Sequence, residues 1–168
     1  VPPVLDYLTE EVRIETDHGP LLAGTLCLPE GDGPLPAVLL ITGSGAQDRD
    51  EDIYGFKPFF LLADHLANHG YAVLRCDDRG FGDSTGDIST ATSADLALDY
   101  AAQLRYLEER AEVDPERVYL LGHSEGSIIA GMLAAEHDVA GVIMFAGQAV
   151  PGDELLLAQS AKTILAEG

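Results

Sequence analysis

The segment Gly122-His123-Ser124-Glu125-Gly126 constrains the fold of this chain more than any other part of the sequence. It follows the apolar, strand-like run Val118–Leu121 and opens an Ala-rich helical pattern. A G-x-S-x-G pattern between a strand and a helix forms a sharp turn that exposes the serine above a sheet. We therefore predict that Ser124 is a catalytic nucleophile in a nucleophile elbow formed by Gly122, His123 and Gly126. The alternative is a glycine-rich turn in which the serine only caps the helix.

Strand-like and helix-like patterns alternate along the chain, which predicts an α/β fold with a mainly parallel sheet and helices on both faces. The predicted strands are Glu10–Thr16, Pro20–Leu28, Ala37–Thr42, Tyr71–Cys76, Arg117–Leu121 and Val139–Phe145. The predicted helices are Phe56–Asn68, Ser93–Arg110 and Ser124–His137, followed by a helix-like segment at Pro151–Gly168. We expect a hairpin turn at His18-Gly19, Ser93 as an N-cap, and a turn at Asp114-Pro115.

Charge excludes two classes of partner. The chain carries 29 acidic and nine basic residues, a formal net charge of −20. Nucleic acids and anionic membranes attract Lys and Arg, so neither is a predicted partner. A solvated acidic surface explains the charge, and steering of cationic ligands is the alternative. Because no apolar stretch is long enough to span a bilayer, we predict a soluble protein. The sequence does not identify its compartment, and the cytoplasm is only slightly favoured.

The two cysteines, Cys27 and Cys76, each lie in a predicted strand. Buried free thiols are the favoured interpretation, and a single disulfide is the alternative. Neither cysteine has a second Cys or a His at the spacing of a metal site, so we predict no zinc or other metal.

A glycine-rich segment, Thr42-Gly43-Ser44-Gly45-Ala46, follows the predicted strand Ala37–Thr42. In hydrolases with a nucleophile elbow, such a loop supplies one backbone N–H to the oxyanion hole, and the residue after the nucleophile supplies the other. We therefore predict oxyanion donors at Ser44 and Glu125, with Gly45 as the next candidate. A phosphate-binding loop is the rival interpretation, but the Gly-Lys-Ser/Thr ending of a P-loop is absent.

A third segment, Asp77-Asp78-Arg79-Gly80-Phe81-Gly82-Asp83-Ser84, resembles the D-x-R-G-x-G-x-S loop that is frequent in α/β-hydrolases. We predict a structural role for Asp78, Arg79, Gly80 and Gly82. Arg79 is expected to bind carboxylates in bidentate fashion, while the glycines allow the backbone to turn. Direct catalysis is the alternative, and an EF-hand-like calcium loop is disfavoured because the ligand spacing is wrong.

These three loops, in this order, resemble the α/β-hydrolase superfamily. Together with Gly43-Ser44-Gly45-Ala46-Gln47-Asp48-Arg49-Asp50, they are similar to bacterial carboxylesterases related to dienelactone hydrolases and acyl-CoA thioesterases. The resemblance implies that residues 1–150 form the N-terminal part of the hydrolase core. It implies that residues 151–168 begin a cap, and that the C-terminal strands of the fold are lacking.

The resemblance also implies that the Asp and His of a catalytic triad follow the cap. We therefore expect a complementing C-terminal segment or second chain, which would also cover an exposed edge at Val139–Phe145. Substitute bases within the chain are disfavoured. His123 and Glu125 flank Ser124 but are expected to point away from its hydroxyl. The remaining candidates are expected on loops or helix surfaces: His18, His65, His69, His137, Asp48, Asp50, Asp77, Asp78 and Asp83.

The function that the resemblance implies is hydrolysis of a small-molecule carboxylic ester through an acyl-enzyme on Ser124, with no cofactor. One alternative, with the same serine, is acyl transfer or thioester cleavage. The other is a catalytically incomplete fragment that acts as a folding or interaction module. Because substrate choice depends on the cap and on late loops, the sequence does not identify the ester.

Overall fold

The computed structural model describes residues 7–31 and 33–148 and, beyond them, only residues 150, 154, 157, 158 and 160–162. The predicted cap segment 151–168 therefore lies largely outside the described residues. The elements run in the order β1 (Tyr7–Glu15), β2 (Leu21–Pro29), β3 (Leu35–Ile41), α1 (Pro58–Ala67), β4 (Ala72–Cys76), α2 (Ser93–Glu108), β5 (Val113–His123), α3 (Glu125–Glu136) and β6 (Gly141–Phe145). This is the order that the alternating pattern predicts.

The strands form one mixed sheet in the order β1-β2-β4-β3-β5-β6. β1 pairs with β2, and β2 with β4, in antiparallel fashion, while β4, β3, β5 and β6 are parallel neighbours. The parallel strands β3 and β4 are almost continuously apolar because both of their faces are buried. The predicted α/β class with a mainly parallel sheet is confirmed.

Helices cover both faces of the sheet. α1 packs on one face, where its buried residues Phe59 and Ala63 join Val38, Leu40 and Val73 in a single cluster. α2 and α3 cover the other face. A second cluster of buried residues lies on this face. It includes Leu104 and Leu107 of α2 and Ile129, Ala130 and Leu133 of α3, which pack on the strand residues Leu39, Ile41 and Leu74. The carboxyl ends of the parallel strands therefore lie between two layers of helices.

Two local predictions are wrong. The N-cap of α2 is Thr92 rather than Ser93, because Thr92 and Asp95 exchange side-chain and backbone hydrogen bonds in a capping box. β5 begins at Val113, before the turn predicted at Asp114-Pro115. The register there jumps from Val113 opposite Leu35 to Val118 opposite Ala37, so the extra residues bulge outward within the strand.

The cysteines are free and buried, as the favoured interpretation predicts. Cys27 belongs to the cluster beneath α1, whereas Cys76 belongs to the cluster beneath α2 and α3. The two thiols thus lie on opposite faces of the sheet, which excludes the alternative disulfide. Burial raises the pKa of both thiols above their ordinary value.

β6 is the edge strand of the described sheet, and its apolar side chains are exposed. The exposed fractions are 36% for Val142, 42% for Ile143, 51% for Met144 and 44% for Phe145. The exposed edge predicted at Val139–Phe145 is therefore present. Among the described residues, no helix is both long and apolar enough to cross a membrane.

Candidate active site

Ser124 lies in the tight turn between β5 and α3. Its backbone has φ +51° and ψ −116°, a conformation that a non-glycine residue adopts only under strain. The Ser124 N–H donates to the Phe145 carbonyl at 2.8 Å, and its carbonyl accepts from Ser127 N–H at 3.0 Å. Although Ser124 occupies the N-cap position of α3, its side chain makes no capping hydrogen bond. The serine is therefore not held as an ordinary helix cap.

The two glycines of the turn are required by close backbone contacts. A Cβ added at Gly122 would lie 2.2 Å from the Gly126 carbonyl oxygen, and one at Gly126 would lie 2.3 Å from the Ile41 carbonyl oxygen. Any side chain at either position would separate α3 from the ends of β3 and β5. The sequence pattern thus reflects packing that brings Ser124 to the carboxyl edge of the sheet.

The glycine-rich loop after β3 borders Ser124. A Cβ added at Gly43 would lie 3.5 Å from the Ser124 Cβ. Gly43 N–H already donates to the Glu51 carboxylate at 2.8 Å. Ser44 and Gly45 follow as exposed residues, and Gly45 has φ +91°. Glu125, at the first position of α3, has no intrahelical acceptor for its N–H.

Asp78 fixes the base of this loop. Its carboxylate accepts hydrogen bonds from Thr42 Oγ1 at 2.8 Å, from Gln47 N–H at 2.8 Å and from Tyr100 Oη at 3.2 Å. Burial is the main cause that raises the pKa of Asp78 to about 6, against those hydrogen bonds, and the neighbouring Asp99 adds to it. Burial also raises the pKa of Tyr100.

Arg79 departs from its predicted geometry. Its Nε donates to a single oxygen of Asp99 at 2.6 Å, and its Nη2 donates to the Asp95 backbone carbonyl at 2.7 Å. The bidentate contact expected of Arg79 is instead made by Arg49 on Asp77. Arg49 stands in the Gly43–Asp50 run, where no sequence pattern marks it as the partner of Asp77.

The glycines of the Asp77–Ser84 loop agree with a structural role. Gly80 and Gly82 have φ +71° and +53°. A Cβ at Gly82 would lie 2.5 Å from Asp77 Oδ2, and one at Gly80 would lie 2.7 Å from the Gly86 carbonyl oxygen. Gly82 therefore allows the loop to fold back on the Asp77 carboxylate that Arg49 binds, and Gly80 allows it to pack against the Gly86 peptide.

The side chains that flank Ser124 are engaged elsewhere. His123 Nδ1 lies 2.8 Å from Glu51 Oε1, and Glu125 Oε1 accepts from Ser93 Oγ at 2.6 Å. Neither group has a hydrogen bond to the Ser124 hydroxyl among the described contacts. Glu51 is only 2% exposed. No sequence pattern predicts its burial, because nothing distinguishes it from the other acidic residues of the chain.

The other histidines lie in structural positions. His18 Nε2 lies 2.7 Å from Asp99 Oδ1, His65 and His69 stack with ring centroids 4.2 Å apart, and His137 caps the C-terminus of α3. Within residues that the structure describes, no group of three His, Cys, Asp or Glu side chains could hold a metal ion.

Comparisons with known proteins agree with this fold. Esterase EstD of Thermotoga maritima is 36% identical over 154 residues, covering 90% of this chain and 36% of EstD. The crystal structure of hypothetical protein PA2218 from Pseudomonas aeruginosa has a TM-score of 0.74 at 22% identity, covering 88% of this chain and 45% of that protein. A dienelactone hydrolase-like phosphotriesterase from metagenomic libraries has a TM-score of 0.67 at 22% identity, with coverages of 87% and 62%.

The chain thus spans little more than a third of the length of EstD. Both structures share the fold of this chain, and one of them is a dienelactone hydrolase-like protein. A family model described as serine aminopeptidase, S33, matches residues 57–167, which is most of the chain. This chain therefore belongs to that family of α/β-hydrolases.

Proposed function

We propose that this chain carries the nucleophilic half of a serine esterase, with Ser124 as the nucleophile. The observation that supports it most is the backbone of Ser124. The residue is strained at φ +51° between a strand and a helix, and its side chain is not used as a cap. Strain of this kind persists where surrounding contacts impose it, and it is concentrated at functional sites. The name of the relative EstD, an esterase, points to the same reaction class.

The reaction that fits this site is acyl transfer to Ser124. The Oγ attacks the ester carbonyl carbon, and its proton passes to a general base. The carbon–oxygen bond to the alcohol then breaks, and the alcohol leaves with that proton. Water attacks the acyl-enzyme, releases the carboxylic acid and regenerates the serine. The N–H groups of Ser44 and Glu125, with Gly45 as the alternative donor, would stabilise the oxyanion.

The general base, with its orienting carboxylate, is the part of this mechanism that the described residues do not supply. His123 and Glu125 are engaged by Glu51 and Ser93, away from the serine. We therefore propose that a complementing C-terminal segment or second chain provides the histidine and the aspartate. Two features of β6 support this proposal. It is the edge strand of the described sheet, where a further strand can pair, and its apolar side chains are exposed.

Intact-mass spectrometry of the native protein, before and after a fluorophosphonate probe, tests the role of Ser124. One adduct is expected, and Ser124→Ala should abolish it. Ser89→Ala, which removes an exposed serine hydroxyl outside the elbow, is the matched control and should keep the adduct. A second polypeptide in the spectrum would identify the complementing chain. A native protein that forms no adduct would contradict the proposal and favour a catalytically incomplete interaction module.

The isolated 168-residue polypeptide tests the proposed complement. Its exposed β6 edge should make it self-associate or bind a hydrophobic dye, as measured by sedimentation and fluorescence. A monodisperse, folded monomer without dye binding would contradict the need for a complementing segment.

Substrate comparison separates the remaining alternatives. Rates for p-nitrophenyl esters, acyl thioesters and amino-acid p-nitroanilides should be compared on the native protein without probe, with its active sites counted by labelling a separate sample. We expect the highest kcat/KM for short-chain esters. A preference for thioesters would instead favour a thioesterase, and one for anilides would favour a peptidase that uses the same serine.

A further inference from the structure

Glu51 is a buried carboxylate with two partners beside the predicted nucleophile. Its Oε1 accepts the Gly43 N–H at 2.8 Å and lies 2.8 Å from His123 Nδ1. Because a carboxylate only accepts hydrogen bonds, His123 must carry its proton on Nδ1 in this contact. One buried oxygen thus joins the loop after β3 to the residue that precedes Ser124.

The space between these groups is closed. A Cβ added at Gly43 would lie 3.1 Å from Glu51 Oε1, 3.1 Å from His123 Nδ1 and 3.5 Å from Ser124 Cβ. The glycine therefore allows its backbone to pack against the Glu51–His123 contact. Movement of the Glu51 carboxylate would displace the Gly43 peptide relative to Ser124.

The loop that carries Glu51 is fixed on the side away from this contact. Asp50 binds Arg75, and its second oxygen accepts from Lys57 Nζ at 3.0 Å. Arg49 binds Asp77, the residue that follows β4. Glu51 itself has φ +52°, which is unusual for a non-glycine residue. Arg49 and Asp50, the two residues before Glu51, therefore hold a strained backbone that turns the Glu51 carboxylate toward Gly43 and His123.

We propose that Glu51 is a positioning residue that sets the Gly43–Ser44 backbone relative to Ser124. By accepting the Gly43 N–H, Glu51 orients this peptide and leaves the next N–H, that of Ser44, for the oxyanion. The proposal rests on the proposed function, because the oxyanion forms only if Ser124 attacks the carbonyl carbon of an ester. Preorganised donors stabilise a transition state only where the charge develops, and a displacement of about 1 Å can cost about 100-fold in rate.

The substitutions separate positioning from mere stability. Glu51→Asp keeps the charge but withdraws the carboxylate by one methylene, so that it no longer reaches both partners. Glu51→Gln keeps the length and an accepting oxygen but removes the charge. Asp52→Asn changes an exposed neighbour that accepts from Gly55 N–H, and it serves as the matched control.

Each variant should be prepared as the complete protein, with its active sites counted by fluorophosphonate titration. Three quantities are then measured: kcat and KM for a p-nitrophenyl ester, and Ki for a trifluoromethyl ketone that forms a tetrahedral adduct. We expect Glu51→Asp to lower kcat about 100-fold with KM changed less than about threefold. The Ki should rise in proportion to the loss in kcat/KM, because the adduct carries the same oxyanion. Glu51→Gln should lose less than Glu51→Asp, and Asp52→Asn should match the wild type.

The outcomes distinguish this inference from the proposed function. A wild-type enzyme that is active and labelled at Ser124, with folded Glu51 variants of unchanged kcat and Ki, overturns only the positioning role. Loss of stability with full kcat per titrated site overturns it as well. If Glu51→Asp does not fold, the test rests on Glu51→Gln, whose kcat should still fall with a proportional rise in Ki; unchanged values in this variant overturn the positioning role. A wild type that neither hydrolyses esters nor is labelled overturns the proposed function and this role with it.

Discussion

Arg49 and Asp77 form a two-point contact, with Nε 3.0 Å from Oδ1 and Nη2 2.8 Å from Oδ2. Their side chains are 14% and 5% exposed. Burial opposes ionisation of Asp77, but the hydrogen bonds from Arg49 and from the Asp83 N–H outweigh it and lower the pKa. Arg49 also donates to Thr25 on β2. The guanidinium thus connects the loop that carries Glu51 to β2 and to the loop that follows β4.

This contact predicts the effect of Arg49→Lys. Lysine keeps the charge but replaces the planar fork by one ammonium group, so it loses one of the two contacts with Asp77. We expect the free energy of unfolding to fall by about 1–3 kcal/mol in urea denaturation. Arg105→Lys, at a surface pair with Asp17 whose side chains are 56% and 88% exposed, is the control and should change it by less than about 0.5 kcal/mol. Equal losses in the two variants would contradict the importance of the fork.

The buried carboxyl of Asp78 predicts a pH dependence of stability. Its pKa is raised from 3.8 to about 6, mainly by burial. Between these values the folded protein holds a proton that the unfolded chain has released. The contribution of Asp78 to the free energy of unfolding therefore falls as the pH rises through this window. Above it, the contribution stays at its lower value.

Asp78→Asn isolates this group because asparagine does not titrate. The free energy of unfolding of the wild type minus that of the variant should decrease between about pH 4 and about pH 6 and level off above that, as measured by urea denaturation. Asp87→Asn changes an exposed carboxyl whose pKa is lowered by hydrogen bonds from Ser89, so its difference should be constant over the same range. A constant difference for Asp78→Asn would show that its carboxyl is ionised throughout.

Local patterns predict the sheet well and its polar contacts poorly. The apolar runs of β3 and β4 are readable because buried parallel strands need no alternation. The glycines of the elbow are readable because a short pattern carries their whole geometry. Arg49 and Glu51 are different, since their partners Asp77 and His123 lie 28 and 72 positions away. In a chain with 29 acidic residues, only the folded structure distinguishes the one that is buried beside the serine.

The N-cap of α2 predicts a difference between two threonines. Thr92 accepts from Asp95 N–H at 3.3 Å, and its own N–H donates to the Asp95 carboxylate at 2.8 Å. Thr92→Ala should lower the free energy of unfolding by about 1 kcal/mol because an N–H of the first turn loses its acceptor. Thr90→Ala makes the same change in an exposed turn and should cost less than about 0.5 kcal/mol. If the two variants have the same midpoint in urea, the capping box contributes nothing.

The two glycines of α3 predict opposite effects of the same substitution. At Gly126 a Cβ would lie 2.3 Å from the Ile41 carbonyl oxygen and 2.5 Å from that of Thr42, both backbone atoms with little room to move. At Gly131, on an exposed part of the same helix, a Cβ would meet nothing within 4 Å. Gly126→Ala should therefore lower the free energy of unfolding by about 1–3 kcal/mol or more. Gly131→Ala should raise it by up to about 1 kcal/mol through helix propensity.

The rate of fluorophosphonate labelling adds a second measurement to this pair. A shift of α3 away from the end of β3 also moves Ser124, because Ser124 is the N-cap residue of that helix. Labelling of folded Gly126→Ala should therefore be slower than that of the wild type, whereas Gly131→Ala should be labelled at the wild-type rate. If Gly126→Ala were as stable and as reactive as Gly131→Ala, the close approach of α3 to β3 could not be what places the serine.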